Sequence, residues 1–222
     1  MKIKRLVALG LLLVTNIASY AQKTISEGTI IYDISIQPKN SGAKVNSGLA
    51  GAKSTVYLKG SLSRIDMTSS LGTETTIYNA KMGNAIILKE YSGQKLMITL
   101  TKENWLTSNK KFDGINYQNT PETKVIQGYE CKKAFAKLND GSTISVYYTL
   151  SLAPINKEYN QVFKTLPGFP LEYEFETEKL IIKYQFSNID FGPLPSAKFE
   201  FPNSGYRVIT YDENKNGKSE SL

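Results

Sequence analysis

The chain has no histidine among its 222 residues. That removes Ser-His-Asp and Cys-His catalytic devices and the commonest zinc ligand. It has one cysteine, Cys131, so neither an internal disulfide nor a multi-cysteine metal site can form. It has one tryptophan, Trp105. After the first 21 residues no apolar run approaches the roughly 20 residues of a membrane-spanning helix. Low hydrophobicity is also absent: 41% of the residues are hydrophobic and 21% charged, the balance of a globular chain rather than a disordered one.

The opening residues carry an address. Lys2, Lys4 and Arg5 precede an apolar run from Leu6 to Ile17. Ser19-Tyr20-Ala21 then places small residues at the −3 and −1 positions of a cut before Gln22. This is the pattern of a secretory signal peptide, and it predicts a mature chain in the periplasm or secreted, cleaved between Ala21 and Gln22. Gln22 is not a cysteine, so no lipid-attached residue is expected there. Without Lys2, Lys4 and Arg5, 24 basic residues face 20 acidic ones, a net charge of +4. That is not a nucleic-acid footprint, and Lys110-Lys111 and Lys132-Lys133 read as solvated surface.

From Thr29 onward the period is close to two. Ile30, Tyr32, Ile34 and Ile36 alternate with Ile31, Asp33 and Ser35, the mark of a half-buried strand. About a dozen such segments follow at short spacing, with hairpin signals at Lys59-Gly60-Ser61, Ser92-Gly93-Gln94 and Asn139-Asp140-Gly141. Phe199 to Phe201 and Tyr206 to Tyr211 read as the last strands, and residues 38–54 as a loop. One segment differs: Tyr159, Val162, Phe163 and Leu166 form a helical stripe within Asn156 to Leu166, stopped by Pro167-Gly168. The expected fold is mainly β: a strongly curved antiparallel sheet or incomplete barrel with one or two short helices. A single domain is expected over 22–213, followed by a polar tail over 214–222.

Two stretches resemble known families. Lys59-Gly60-Ser61-Leu62-Ser63-Arg64 looks like the "strand, K-G-x-x-S-R, strand" hairpin of exported bacterial domains of unknown function. Gly128-Tyr129-Glu130-Cys131-Lys132-Lys133-Ala134, followed by Thr165-Leu166-Pro167-Gly168-Phe169-Pro170, is similar to the GLPGLI family and its sibling with a Pro-Gly-Phe-Pro version. Thr165 replaces the first Gly, and Phe169-Pro170 replaces Leu-Ile, so the sibling fits better. Phe199-Glu200-Phe201-Pro202, then Gly205-Tyr206, also resembles it. The resemblance implies an envelope protein of Gram-negative bacteria without established activity. It also implies a fold similar to LolA-type lipoprotein carriers, with an apolar concave face under a lid.

The residues of types that can carry chemistry read as structural. Cys131 has no histidine to activate it, and a buried structural role is expected; alternation would place it with Tyr129, Lys133 and Phe135. Glu172, Glu174, Glu176 and Glu178 would line one solvated strand face, partly neutralised by Lys179 and Lys183. Asp212 to Gly217 matches the opening of a Ca²⁺ loop but has no glutamate at its twelfth position, so a frayed tail is expected and no metal. Trp105 is expected to cap one end of the core, with a ligand rim as the alternative. No catalytic residue, cofactor or metal follows from the sequence.

The leading functional expectation is therefore a non-enzymatic carrier of an apolar ligand: a lipid, a lipoprotein acyl chain or a hydrophobic peptide. Its cavity would be lined by Tyr32, Ile34, Leu58, Ile65, Ile87, Ile98, Tyr148 and Ile182, each buried CH₂ contributing about 0.8 kcal/mol. Phe163, Leu166, Pro167, Gly168, Phe169 and Pro170 would form a lid or its hinge. The alternative is a structural or protein-interaction module of the envelope with a filled core and no ligand.

Overall fold

A computed structural model describes residues 22–40 and 47–219. The signal-peptide reading of residues 1–21 lies outside the described residues. The strands are β1 (Lys23–Ile25), β2 (Glu27–Pro38), β3 (Lys53–Lys59), β4 (Leu62–Ser69), β5 (Gly72–Asn79), β6 (Asn84–Tyr91) and β7 (Gln94–Leu100). Helix α1 (Lys102–Asn109) precedes β8 (Gln118–Ile126), β9 (Tyr129–Lys137), β10 (Thr143–Thr149) and β11 (Leu152–Pro154). Then come β12 (Phe169–Glu176), β13 (Leu180–Asp190), β14 (Arg207–Thr210) and helix α2 (Tyr211–Ser219).

Twelve strands form one curved sheet, in the order β14-β7-β6-β5-β4-β3-β2-β13-β12-β10-β9-β8, and its two edges do not meet to close a barrel. All neighbours run antiparallel except β14, which lies parallel to β7. A separate parallel pair joins β1 to β11. The three expected hairpin turns lie where the sequence put them. In the β6–β7 turn both Ser92 (φ 50°) and Gly93 (φ 79°) are left-handed, the geometry a tight two-residue hairpin demands.

The alternation works as sequence periodicity requires. On β2, Ile30, Tyr32 and Ile34 are buried while Asp33 is exposed. Register carries this face across the sheet: Tyr32 pairs with Ser54 and Phe186, and Val56 pairs with Ile65. The main core spans the β2–β3 and β9–β13 half of this inner face, and a smaller core lies at the β5–β7 end around Tyr78, Ala85, Ile98 and Leu100.

The helix expected over Asn156–Leu166 does not form. A 3-10 turn over Lys157–Tyr159 is followed by further turns. The Asn156 side chain accepts from the Glu158 N–H (3.0 Å), and the Asn160 side chain accepts from the Val162 N–H (3.1 Å). These asparagines offer the backbone a local alternative to helical bonds, and the remaining bonds are of the i to i+3 kind. The stripe is still buried: Tyr159, Val162, Phe163 and Leu166 all enter the main core.

Other elements depart from expectation. Phe199 belongs to a 3-10 turn over Ser196–Phe199 rather than a strand; Pro195 precedes it and the Lys198 N–H bonds back to the Pro195 carbonyl (3.0 Å). Part of the expected polar tail is helix α2. Thr210 and Glu213 start it with reciprocal bonds: the Glu213 N–H donates to the Thr210 hydroxyl, and the Thr210 N–H donates to the Glu213 carboxylate. This Thr-x-x-Glu capping box was present in the sequence. Helix α1 has a comparable cap, Thr101 with Asn104.

The chain between β13 and β14 straps the outer face. The Lys59 ammonium donates to Glu27 (2.7 Å) and to the Leu194 carbonyl (2.6 Å), and Arg64 donates to the Lys198 carbonyl (3.1 Å). On the same face Glu172, Glu174 and Glu176 form the expected row; Glu178 falls beyond the strand, in the turn. Their partners are Lys183 and, unforeseen, Lys124 and Lys39.

Glu172 is buried and bonded to Lys124 at 2.9 Å and Lys183 at 3.1 Å. Burial pushes its carboxyl pKa up, but the two lysine bonds outweigh this and hold it below the usual carboxylate value. A lowered folded pKa adds stability that is present at neutral pH and lost as pH falls through that value. Glu172→Gln is therefore expected to cost about 2 kcal/mol near pH 7, with the gap to the parent shrinking below about pH 4, as read by urea unfolding at both pH values.

Candidate functional site

Sheet register places all eight residues expected to line a cavity on the inner face. Ile182 pairs with Ile36, Tyr184 with Ile34, Ile87 with Ile98, and Tyr148 follows Ile144 and Val146 along β10. Their surroundings differ. Tyr32, Leu58 and Tyr148 are enclosed in the main core, and the Tyr32 hydroxyl donates to the Pro170 carbonyl at 2.8 Å. Ile98 and Ile87 belong to the smaller core. Of the eight, Ile65 borders open space.

That space is a cavity of about 170 Å³ between the two cores. Its floor is the sheet: Ser63 and Ile65 of β4, Thr76 and Tyr78 of β5. One wall is Trp105 and Asn109 of α1 with Phe112 just beyond; the other is the segment Tyr159–Val162. The cavity lies between the sheet and the 156–166 segment, and of the eight residues expected to line a cavity only Ile65 borders it. The sequence reading missed the α1 wall, because α1 has no apolar stripe and buries none of its residues fully. The signal available was the Thr101 cap ahead of a lone tryptophan.

Trp105 acts both as cap and as rim. Its ring stacks on Tyr78 (centroids 4.7 Å apart, planes 19° apart) over the smaller core, and it borders the cavity. Its indole nitrogen is buried and has no hydrogen-bond partner among the described residues. Burial raises the Tyr78 pKa, and the nearby Glu158 charge adds to the rise. Glu158 is itself occupied: the Gln161 amide donates to it at 2.9 Å, and Lys164 lies 3.7 Å away.

The expected lid is packed as core. Phe163, Leu166 and Phe169 are buried, and Gly168 lies against the β10 backbone. A second gap, about 10 Å³, separates Phe163, Leu166, Gly168 and Pro170 from Pro154 and Tyr159, room for no more than one water. The Pro167-Gly168-Phe169-Pro170 turn does launch β12, which begins at Phe169.

Cys131 is buried in the main core, with Ala134 and Ala136 rather than with Phe135, which is 44% exposed. Two residues, Lys132 and Lys133, intervene between the inward Cys131 and Ala134, and the β8–β9 register skips beside them between Asn119 and Thr123. This irregularity breaks the strict alternation assumed from the sequence. Burial pushes the thiol pKa up to about 11. Ellman's reagent is expected to leave the native protein unmodified at about pH 8 and to label it fully in denaturant; rapid native labelling would show the thiol to be open. Among the described residues no group of three Cys, Asp or Glu side chains is placed to hold a metal ion.

No family model matches the chain, and no curated protein matches its sequence. Solved structures match its fold. An uncharacterised conserved protein from Thermus thermophilus gives a TM-score of 0.49 at 11% identity, covering 84% of this chain and 91% of that one. A DUF1329 family protein from Desulfovibrio piger gives 0.39 at 12% identity, covering 79% and 90%. PNGF-II in its P21 crystal form gives 0.52 at 15% identity over 88% of this chain, which spans about a third (34%) of PNGF-II. The chain is therefore similar to part of PNGF-II in its curved β architecture, a likeness of fold alone.

Proposed function

We propose that this chain is an exported, non-catalytic binding protein of the bacterial envelope that takes a small apolar ligand, or the end of a larger one, into the cavity beside Trp105. The observation that carries this reading is the space of about 170 Å³ left between two otherwise filled cores. Its size limits the guest. Pockets for drug-sized ligands run from about 300 to 1,000 Å³, whereas a cavity of about 150 Å³ is enough for benzene. One ring or a short alkyl segment fits; the complete acyl chain of a lipoprotein does not. Export rests on the Lys2-to-Ala21 pattern, and the envelope setting on the motifs resembling the Pro-Gly-Phe-Pro sibling of the GLPGLI family. A non-catalytic role is supported by the missing histidine and the enclosed thiol.

A filled main core favours the second reading, a structural or interaction module. Benzene separates the two. Trp105 is the only tryptophan, so its indole N–H gives one proton resonance beside the cavity. Benzene is expected to shift it saturably with a dissociation constant on the order of 1 mM, and Ile65→Phe, which fills the space, to abolish the shift. A resonance indifferent to saturating benzene would leave the interaction module standing.

A further inference from the structure

We propose that the cavity beside Trp105 selects uncharged ligands, rejecting both carboxylates and ammonium groups of the same size. This deepens, and rests on, the binding role proposed above. Three observations carry it.

First, all of the side chains facing the space are neutral. The rings of Tyr78, Trp105, Phe112 and Tyr159 line it together with Ile65 and Val162, and the polar groups are hydroxyls and amides such as Thr76 and Asn109. An ion entering there loses part of its water against the apolar wall and finds no opposite charge, and dipoles alone do not repay that loss. Second, Glu158, the carboxylate preceding the Tyr159–Val162 wall, is not free to receive a cation. It already holds the Gln161 amide and pairs with Lys164. Third, the neutral polar groups suit a guest with one polar end. Hydroxyls and amides donate and accept, so an alcohol, ester or ketone oxygen finds a partner without being ionised. The inferred ligand class is a ring or short alkyl group bearing an uncharged oxygen function, not a free fatty acid or an amine.

Benzyl alcohol, benzoate and benzylammonium form a matched set of probes for the full chain near neutral pH. Trp105 fluorescence and the indole N–H resonance report on the site. Benzyl alcohol is expected to bind with a dissociation constant on the order of 1 mM, and each ion at least about tenfold more weakly. Asn109→Lys places a cation at the cavity wall. Asn109 is the last residue of α1, where a positive charge suits the helix dipole, so the fold should hold. This variant is expected to raise benzoate affinity about tenfold while leaving benzylammonium excluded. Equal binding of all three probes by the parent, preference for either ion, or failure of benzyl alcohol where benzene binds overturns the inference and leaves the binding role intact. Failure of all three, together with failure of benzene, overturns both.

Discussion

A single methyl group added at Gly168 is expected to destabilise the protein by about 3 kcal/mol and to lower its urea midpoint by roughly 1.5 M. The cause is steric. A Cβ on Gly168 would lie 2.2 Å from the Thr149 carbonyl oxygen and 2.8 Å from both its carbon and a Tyr148 ring atom. Ordinary contacts require more than 1 Å of extra room. Neither side can easily give way. Thr149 is fully buried, pairs with Phe169 across the sheet, and accepts a bond from the Ser151 N–H (3.1 Å) through its hydroxyl. On the other flank, Pro167 and Pro170 limit backbone rotation around the glycine. Relief therefore means prising the end of β12 from β10, which breaks strand pairing and opens the main core. A Gly168→Ala protein with a midpoint within about 0.3 M of the parent would show that this turn is yielding, as a hinge would be.

Phe169→Ala is expected to cost about 3–5 kcal/mol, by the same measurement. Phe169 is fully buried and stacks near Tyr159, with ring centroids 6.4 Å apart. Removing the ring forfeits its transfer energy and leaves a hole, because the surrounding strands are tied by β10–β12 pairing and cannot collapse into it. The result bears on function. A lid residue that swings clear of the sheet would be worth little to the closed fold. An anchor in the largest core is worth several kcal/mol. Loss of less than about 1 kcal/mol would favour the lid.

These two positions show what a motif can and cannot say. Pro167-Gly168-Phe169-Pro170 was visible as a turn that starts a strand, and it is one. Whether such a turn moves depends on what touches it, and Thr149 is 19 positions away in sequence. The 156–166 segment teaches a related lesson. Its apolar spacing identified four residues that are buried, yet the spacing did not make a helix, because Asn156 and Asn160 redirect the backbone bonds. Cys131 is the opposite case. Its burial was foreseen, but its neighbours were not, since one irregularity at Lys132–Lys133 reverses the parity downstream.

Local sequence was enough to specify the inner face. Period-two alternation and short hairpin turns are local features, and strand pairing transmits them across the sheet except where a bulge shifts the register. Tyr32, Ile34, Leu58, Ile65, Ile87, Ile98, Tyr148 and Ile182 therefore share one side of one sheet. How that side is covered was settled by contacts between distant segments. The plug comes from residues 159–166, the second wall from a helix at 102–109, and the remaining space is a small difference between two large volumes. No local pattern encodes such a difference, because it depends on how far-apart stretches of chain meet over a curved surface.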